Sequence, residues 1–170
     1  MNIFLDTYGN NQLTPRTILK NPLLFLAFGF GSGLVKKAPG TCGTLAAIPV
    51  YLLIAQMSFE IYSVLTCIAV MVGIKICGEA ANLLGEHDFN GIVWDEVAGY
   101  LVTMWFCALT LNWHTVLMGF VLFRFFDILK PFPIKWVDKH VHGGLGIMLD
   151  DILAGIFAGG ALRAIELLAI

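Results

Sequence analysis

Acidic residues stand in separate short groups along the 170-residue chain, each beside a long apolar stretch. They are Asp88, Asp95, Glu96, Asp127, Asp150 and Asp151. Arg124 and Lys130 flank Asp127, so the set has six negative and two positive charges and a net charge of −4. Carboxylates crowded in a poorly solvated place lose their charge unless hard divalent cations neutralise them. Because oxygen-only ligands suit Mg²⁺, the set predicts a magnesium site.

Arg124 and Lys130 indicate what such a metal would act on. Both side-chain types bind phosphate oxygens through charge-assisted hydrogen bonds. Mg²⁺ in proteins often shares its ligand shell with phosphate. Carboxylates, a divalent cation and two phosphate-binding cations together predict metal-assisted phosphoryl transfer to water.

Each acidic group also has a purely structural explanation. Carboxylates that open a helix complement its dipole and cap free N–H groups, which would account for Asp95–Glu96 and for Asp150–Asp151. Asp127 is expected near the end of a helix, where a negative charge opposes the dipole, and an ion pair with Arg124 three residues earlier would explain it. The number of acids, more than any single one, favours a functional site.

A glycine-rich segment, residues 28–44, leads into an apolar run. Such a segment can aim backbone N–H groups and a helix N-terminus at an anion. Thr41 and Thr44 are therefore candidate substrate-binding residues, and Lys36 and Lys37 add positive charge. The alternative is that the glycines allow a tightly packed interfacial loop and the lysines only follow membrane topology.

The composition is that of a membrane protein. Hydrophobic residues make up 58% of the chain and charged residues 13%, and the mean hydropathy is +0.83. This is more apolar side chain than one soluble core of this length would bury. The net charge of −2 leaves no basic surface for nucleic acid.

Four apolar runs define the expected elements, and a turn signal at 112–114 divides the third. The runs are 44–57, 61–76, 97–123 and 152–170. They predict an all-α fold, a compact multi-pass membrane bundle of about five helices. One domain, 1–170, is expected, with a polar N-terminal segment at 1–22. Gly155, Gly159 and Gly160 predict close helix packing in the last run.

The order of the polar segments predicts the topology. Helix alternation places segments 36–43, 78–96 and 127–151 on one side of the membrane, and Glu60 and Asn112 on the other. Nine of the ten basic residues then lie on or face the first side. The positive-inside rule makes that side cytoplasmic. The acidic site is therefore expected at the cytosolic interface.

Five short motifs in register give a more specific signal. They are 29–33 (GFGSG), 39–44 (PGTCGT), 92–99 (IVWDEVAG), 120–133 (with FRFFDILKP) and 143–155 (with MLDDILAG). In this order they resemble the bacterial phosphatidylglycerophosphatase A family over nearly the whole chain. The resemblance implies an all-helical enzyme of the cell inner membrane that requires Mg²⁺. Its substrate would be phosphatidylglycerophosphate, its products phosphatidylglycerol and inorganic phosphate, with no obligate protein partner.

The family motifs also imply roles for single residues. The expected Mg²⁺ ligands are Asp95, Glu96, Asp127, Asp150 and Asp151. Arg124 and Lys130 would bind the substrate and act in catalysis, together with Asp127 and, ahead of the motif at 92–99, Asp88. Attack by water is favoured over an aspartyl-phosphate because the chain has no D-x-D-x-[TV] segment, although Asp127 stays an alternative nucleophile. The number of metal ions is left open.

Other classes of membrane protein fit less well. A CDP-alcohol phosphatidyltransferase would carry D-G-x-x-A-R, which this sequence lacks. A cation channel or transporter would hold its acids near the middle of its spans, whereas Asp95, Asp150 and Asp151 fall at predicted helix ends. A purely structural subunit would not need six acids on one side.

Overall fold

A computed structural model describes residues 14–86, 89–107 and 111–168. These ranges are helical and contain no strand, which confirms the all-α prediction. The helices are α1 Pro15–Lys20, α2 Pro22–Ala27, a 3₁₀ helix Gly29–Leu34, α3 Pro39–Ile54, α4 Phe59–Leu84, α5 Trp94–Trp105, α6 Trp113–Leu129, α7 Ile134–His140 and α8 Gly143–Leu168.

Two helices, α4 and α8, are long and apolar enough to cross a membrane by length and composition. Each has 26 residues and is about 39 Å long at the usual rise per residue. In the most apolar part of each helix, 56% of α8 but only 28% of α4 is buried inside the protein. Helix α3, with 16 residues, is a shorter apolar helix. That the whole bundle spans a bilayer stays a prediction.

Helix α8 is the centre of the bundle and packs against α4, α5, α6 and α7. Glycines permit this packing: a Cβ at Gly155 would lie 2.5 Å from the Gly99 carbonyl oxygen, and one at Gly159 would lie 2.7 Å from the Thr103 carbonyl oxygen. The close packing predicted for these two glycines is confirmed. For Gly160 the prediction is wrong, because a Cβ there would meet nothing within 4 Å.

The turn predicted at 112–114 is confirmed. Asn112 caps α6, and its side chain accepts a hydrogen bond from the His114 backbone N–H at 3.0 Å. An Asn side chain at this position satisfies a donor that the first turn of a helix leaves free. The apolar run therefore divides into α5 and α6 near the expected place.

The predicted start of the last helix, at residue 152, is wrong. Helix α8 begins at Gly143, so Asp150 and Asp151 lie in its interior rather than at its first turn. The reason is tertiary packing: a Cβ at Gly144 would lie 1.9 Å from the Ile74 carbonyl oxygen of α4. The glycines bring the first turn of α8 against α4, and this contact overrides their low helix propensity.

Three buried tyrosines join α3, α4 and α5. Tyr51 of α3 contacts Tyr62 of α4 and Tyr100 of α5 edge to face, with ring centroids 6.1 and 6.2 Å apart. The Tyr62 hydroxyl donates to the Leu101 carbonyl at 2.7 Å, and the Tyr100 hydroxyl donates to the Val116 carbonyl at 2.9 Å. Edge-to-face rings with satisfied hydroxyls fix the relative positions of these helices.

Candidate active site

Three carboxylates from two helices converge in the interior. Asp95 and Glu96 lie in the first turn of α5, and Asp151 lies within α8. One carboxylate oxygen of each lies within 4.8 Å of the others. The helices approach closely here because a Cβ at Gly99 would lie 2.8 Å from the Asp151 carbonyl oxygen. We call Asp95, Glu96 and Asp151 the acid centre.

Arg124 connects the acid centre to α6. Its Nη1 lies 2.5 Å from Asp127 Oδ2 and 3.7 Å from Glu96 Oε1. The ion pair predicted between Arg124 and Asp127 is therefore confirmed, and the same guanidinium also reaches an acid of α5. Asp127 in turn faces Asp151. The pair therefore adjoins the acid centre and does not stand on an isolated helix surface.

Lys130 connects the end of α6 to α7 and to the interior of α8. It caps α6 in the left-handed conformation, and its Nζ donates to Asp150 Oδ2 of α8 at 2.7 Å and to Asp138 Oδ1 of α7 at 2.5 Å. Burial alone would lower the pKa of Lys130, but these hydrogen bonds raise its pKa above the usual value. The ammonium group therefore keeps its charge inside the site.

Asp138 is a site residue that the sequence did not reveal. It lies eight positions after Lys130, and Pro131 and Pro133 separate the two, so no regular helical spacing relates them. The one available signal was weak: Asp138 is an acid between two lysines, Lys135 and Lys139. Only the turn between α6 and α7 brings its carboxylate to Lys130.

Several acids of the site have buried oxygens without a hydrogen-bond partner among the described residues. These atoms are Asp95 Oδ1, Glu96 Oε2, Asp150 Oδ1 and Asp151 Oδ2. A buried anionic oxygen without a partner is strongly destabilising. A hard divalent cation such as Mg²⁺ would satisfy such atoms, and oxygen ligands are the kind that it prefers. The residues present therefore fit a magnesium site.

The acid near the opposite end of α8 provides an internal contrast. Glu166 accepts hydrogen bonds from Thr115 Oγ1 at 2.8 Å and from Cys107 Sγ at 3.0 Å, and it lies 3.6 Å from Arg163 Nη1. Its oxygens have protein partners from three elements of the chain. The same helix thus carries one acid that protein groups satisfy and two, Asp150 and Asp151, that retain an unpaired oxygen.

The glycine-rich segment reaches the acid centre through Gly40, in the first turn of α3. A Cβ at Gly40 would lie 2.0 Å from Glu96 Oε1 and 3.0 Å from Arg124 Nη1. No side chain caps the start of α3, so its positive dipole end points toward these two groups. Any larger residue at position 40 would displace the Glu96 carboxylate.

The two threonines of this segment differ in their surroundings. Thr41 is partly exposed in the first turn of α3. Thr44 is fully buried, and its hydroxyl donates to the Gly40 carbonyl at 2.9 Å. Substrate binding by either residue stays a prediction. Lys36 and Lys37 are exposed just before α3.

The predicted site residues divide into three sets. Asp95, Glu96 and Asp151 form the acid centre, with Asp127 and Arg124 beside it. Asp150 and Lys130 pair with each other next to it. Asp88 lies outside the described residues.

The fold and the site define a helical protein in which buried carboxylates and two cations from α5, α6 and α8 meet. The chain belongs to the phosphatidylglycerophosphatase A family, whose sequence profile matches residues 25–166. Phosphatidylglycerophosphatase A of Escherichia coli strain K12 is 45% identical over 148 residues, which are 86% of this chain and 85% of the relative. The protein of that name from Haemophilus influenzae is 42% identical over 159 residues, 92% of this chain and 96% of the relative. No solved structure matches the chain.

Membership in this family implies that the chain is a phosphatase. It confirms the resemblance seen in the five motifs. All of the acids and cations of the candidate site in the described ranges lie within the matched residues, 25–166.

Proposed function

We propose that the protein is a Mg²⁺-dependent lipid phosphatase that hydrolyses phosphatidylglycerophosphate to phosphatidylglycerol and inorganic phosphate. One observation carries this proposal beyond family membership: three carboxylates from α5 and α8 lie within 4.8 Å of one another, directly beside Arg124. Anionic oxygens alone would repel a phosphate. A site that also holds a divalent cation and a guanidinium can bind it.

The proposed location is the bacterial inner membrane, crossed several times, with the site facing the cytoplasm. The start of α3, the end of α6 and the start of α5 all adjoin the acid centre, and Lys36, Lys37 and Lys130 lie at this end. The opposite end is fixed by the Trp105 indole, which donates to Ser63 Oγ near the start of α4 at 2.9 Å. These three lysines thus lie at one end, which is the arrangement that the positive-inside rule associates with the cytoplasmic side. The lipid keeps its tails in the bilayer, and only its headgroup reaches the acids.

Mg²⁺ would be held by the acid centre, with Asp127 and Asp150 as the remaining expected ligands. When bound, the ion supplies positive charge for the phosphate oxygens and lowers the pKa of water. The chain supplies the rest of the chemistry. Arg124 binds the non-bridging oxygens of the terminal phosphate from the α6 side of the site. Its buried Nε has no hydrogen-bond partner among the described residues, so this donor is available to the substrate.

Lys130 binds the phosphate through the donor that its two carboxylate partners leave unused. An ammonium group has three N–H donors, and Asp138 and Asp150 occupy two of them. The third can meet a phosphate oxygen without breaking either ion pair. Lys130 therefore orients the substrate while it remains anchored to α7 and α8.

Asp127 transfers a proton from the attacking water to the leaving group. In the favoured path a water oxygen bonds to phosphorus and the bond between phosphorus and the glycerol oxygen breaks. Asp127 accepts the proton that the water gives up, and returns it to the leaving glycerol oxygen. Arg124, 2.5 Å from Asp127 Oδ2, holds this carboxylate in position. The alternative is a direct attack by Asp127 on phosphorus, followed by hydrolysis of the acyl phosphate.

Phosphate release by the purified protein in mixed micelles tests the proposal. With phosphatidylglycerophosphate and Mg²⁺ we expect turnover. We expect EDTA to abolish turnover and an excess of Mg²⁺ to restore it. Turnover that persists in EDTA would refute the metal-dependent mechanism. Absence of turnover in Mg²⁺ would refute the proposed substrate.

A further inference from the structure

A cavity of about 290 Å³ lies between α4 and α5. Its walls include Cys67, Val70 and Met71 of α4 and Val102 and Trp105 of α5. The lining is almost entirely apolar, and the Ser63 hydroxyl at its edge is already occupied by the Trp105 indole. We call this cavity the apolar groove. It has no part in the chemistry of the acid centre.

The apolar groove lies on the same face of α5 as the acid centre. Val102 follows Asp95 by seven residues, which is about two helical turns and places both side chains on one face. The axial distance between them is about 10 Å. The same order holds on α8. Asp151 belongs to the acid centre, and Gly155, four residues later, lies beside Val102, since a Cβ at Gly155 would lie 3.2 Å from Val102 Cβ. The apolar groove therefore begins about two helical turns from the acid centre along α5 and extends toward the C-terminal end of that helix.

Aromatic residues lie between the two sites. The Trp94 indole, next in sequence to Asp95, donates to the Ala69 carbonyl of α4 at 3.0 Å. The Phe30 ring packs against it edge to face, with centroids 5.8 Å apart. Indole rings with one polar contact are typical of the level where the hydrocarbon core of a membrane meets the headgroups. This places the acid centre at headgroup level and the apolar groove in the hydrocarbon.

We propose that the apolar groove binds one acyl chain of the lipid whose phosphorylated headgroup enters the acid centre. The inference rests on the proposed function and adds to it the mode of tail recognition. Water would find almost no polar partner in such a cavity. A transmembrane helix of another protein, about 10 Å or more across, is too wide for it. A single hydrocarbon chain fits, and a headgroup of two phosphates and a glycerol spans the distance from the apolar groove to the acids.

Substitutions that fill the apolar groove test this inference. Cys67 is exposed on α4, so Cys67→Trp adds volume to the groove without disturbing the core. The matched control is Val121→Trp on α6, an exposed apolar position away from the groove. Each variant is assayed on two forms of phosphatidylglycerophosphate, one with long acyl chains and one with six-carbon chains.

We expect Cys67→Trp to lower kcat/KM for the long-chain substrate about tenfold, since about two methylene groups lose their burial. For the six-carbon substrate we expect a change of less than about twofold, because little of a short chain reaches the groove. Val121→Trp should leave both values unchanged. Equal losses on both substrates, or no loss on the long-chain one, would overturn the inference.

A series of substrates on the wild-type protein provides the second measurement and does not depend on the folding of a variant. We expect kcat/KM to rise with acyl chain length and then level off when the groove is full. If the wild-type protein hydrolyses every member equally well, the inference is wrong while the proposed function stands. If the wild-type protein hydrolyses no member, both are wrong.

Discussion

At the scale of single residues, the acid centre depends on negative charges that protein groups do not fully neutralise. Asp151 illustrates this. It is almost completely buried, at 3% exposure, and its Oδ2 has no hydrogen-bond partner in the described ranges. Burial of an ionised carboxylate without a partner opposes folding. Such a residue is retained where a ligand that binds the folded protein supplies the missing charge.

Asp151→Asn therefore separates function from folding. The amide keeps the size of the side chain and removes the charge, so we expect turnover to fall more than about 100-fold, as for the loss of a group that binds a metal or a transition state. The detergent-solubilised variant should remain folded, with a Tm at or above that of the wild-type protein in EDTA. Phosphate release and thermal unfolding are the measurements. Wild-type activity in this variant would remove Asp151 from the site.

Asp138 acts one step further from the substrate, as a positioning residue. It holds Lys130 from the α7 side while Asp150 holds it from α8. We expect Asp138→Asn to lower kcat/KM about tenfold, the usual effect of losing an outer-shell partner. Asp138→Glu, which restores the carboxylate, should recover most of the loss.

The control for this experiment is Lys139→Gln, the next residue on α7, whose side chain is exposed and has no part in the proposed site. Its activity should match that of the wild-type protein. A rise in kcat/KM on Asp138→Asn would instead show that Asp138 competes with the phosphate for Lys130.

At the scale of helices, the site depends on how closely α5 approaches α8. The acids come from a short helix and from the middle of a long one, and glycines at the crossing set their separation. Gly99 lies against the Asp151 backbone, and Gly155 lies against the Gly99 carbonyl. These contacts explain why the carboxylates of Asp95 and Asp151 meet although 56 residues separate them in sequence.

Gly155→Ala should push the two helices apart. The new Cβ would lie 2.5 Å from the Gly99 carbonyl oxygen, and overpacking of this kind costs about 1–3 kcal/mol. We expect a lower Tm and a loss of activity beyond what the lower stability explains, since Asp95 and Asp151 would move apart. Thermal unfolding and kcat at a temperature well below both Tm values are the measurements.

Gly160→Ala is the matched control on the same helix. A Cβ at position 160 meets nothing within 4 Å, and replacing a glycine within a helix by alanine stabilises it by about 0.5–1 kcal/mol. We expect a Tm equal to or above that of the wild-type protein and normal activity. If both variants lose activity alike, the α5–α8 crossing does not set the site.

The sequence predicted these elements unequally, for physical reasons. The break between α5 and α6 was predictable because an Asn cap is a local signal. The start of α8 was not, since Gly143, Gly144 and Gly146 oppose a helix by propensity. Only the contacts of Gly144 with α4 and of Gly146 with the α7–α8 turn favour one. Asp150 and Asp151 therefore looked like the residues that open a helix, and they lie two turns inside one.

The position of Asp150 and Asp151 inside α8 also bears on the alternative function, an ion channel. The sequence argument against a channel was that the acids lie at helix ends. Asp151 does not meet it, because it lies about 12 Å along α8 from the start of that helix. Its helix extends beyond the acid centre, whereas α3 and α5 start beside the centre and α6 ends there. The acids thus lie where three helices begin or end. A site at one end of these helices suits a headgroup, whereas a channel would hold its acids along a path through the bundle.

At the scale of the whole molecule, charge is distributed unequally between the two ends. Arg124 and Lys130 lie within the acidic site, and exposed lysines surround it, whereas the opposite end carries Arg163 paired with Glu166. Lys36 and Lys37 precede α3, and Lys135 and Lys139 lie on α7, with exposed Trp136 between them. Basic residues that flank an exposed indole are typical of a helix lying at the cytoplasmic surface of a membrane.

For the proposed inner-membrane location, this distribution predicts the orientation of the chain. A cysteine at position 37 should lie on the cytoplasmic side and one at position 112 on the outer side, because the positive-inside rule fixes the end that carries the lysines. The background is a variant in which Cys42, Cys67, Cys77 and Cys107, the four natural cysteines, are replaced by alanine. Retained phosphatase activity in this background shows that the fold is intact. A maleimide that cannot cross the membrane should then label position 112 in whole spheroplasts, and position 37 only after the membrane is opened. Labelling of position 37 in intact spheroplasts would place the acid centre on the outer face.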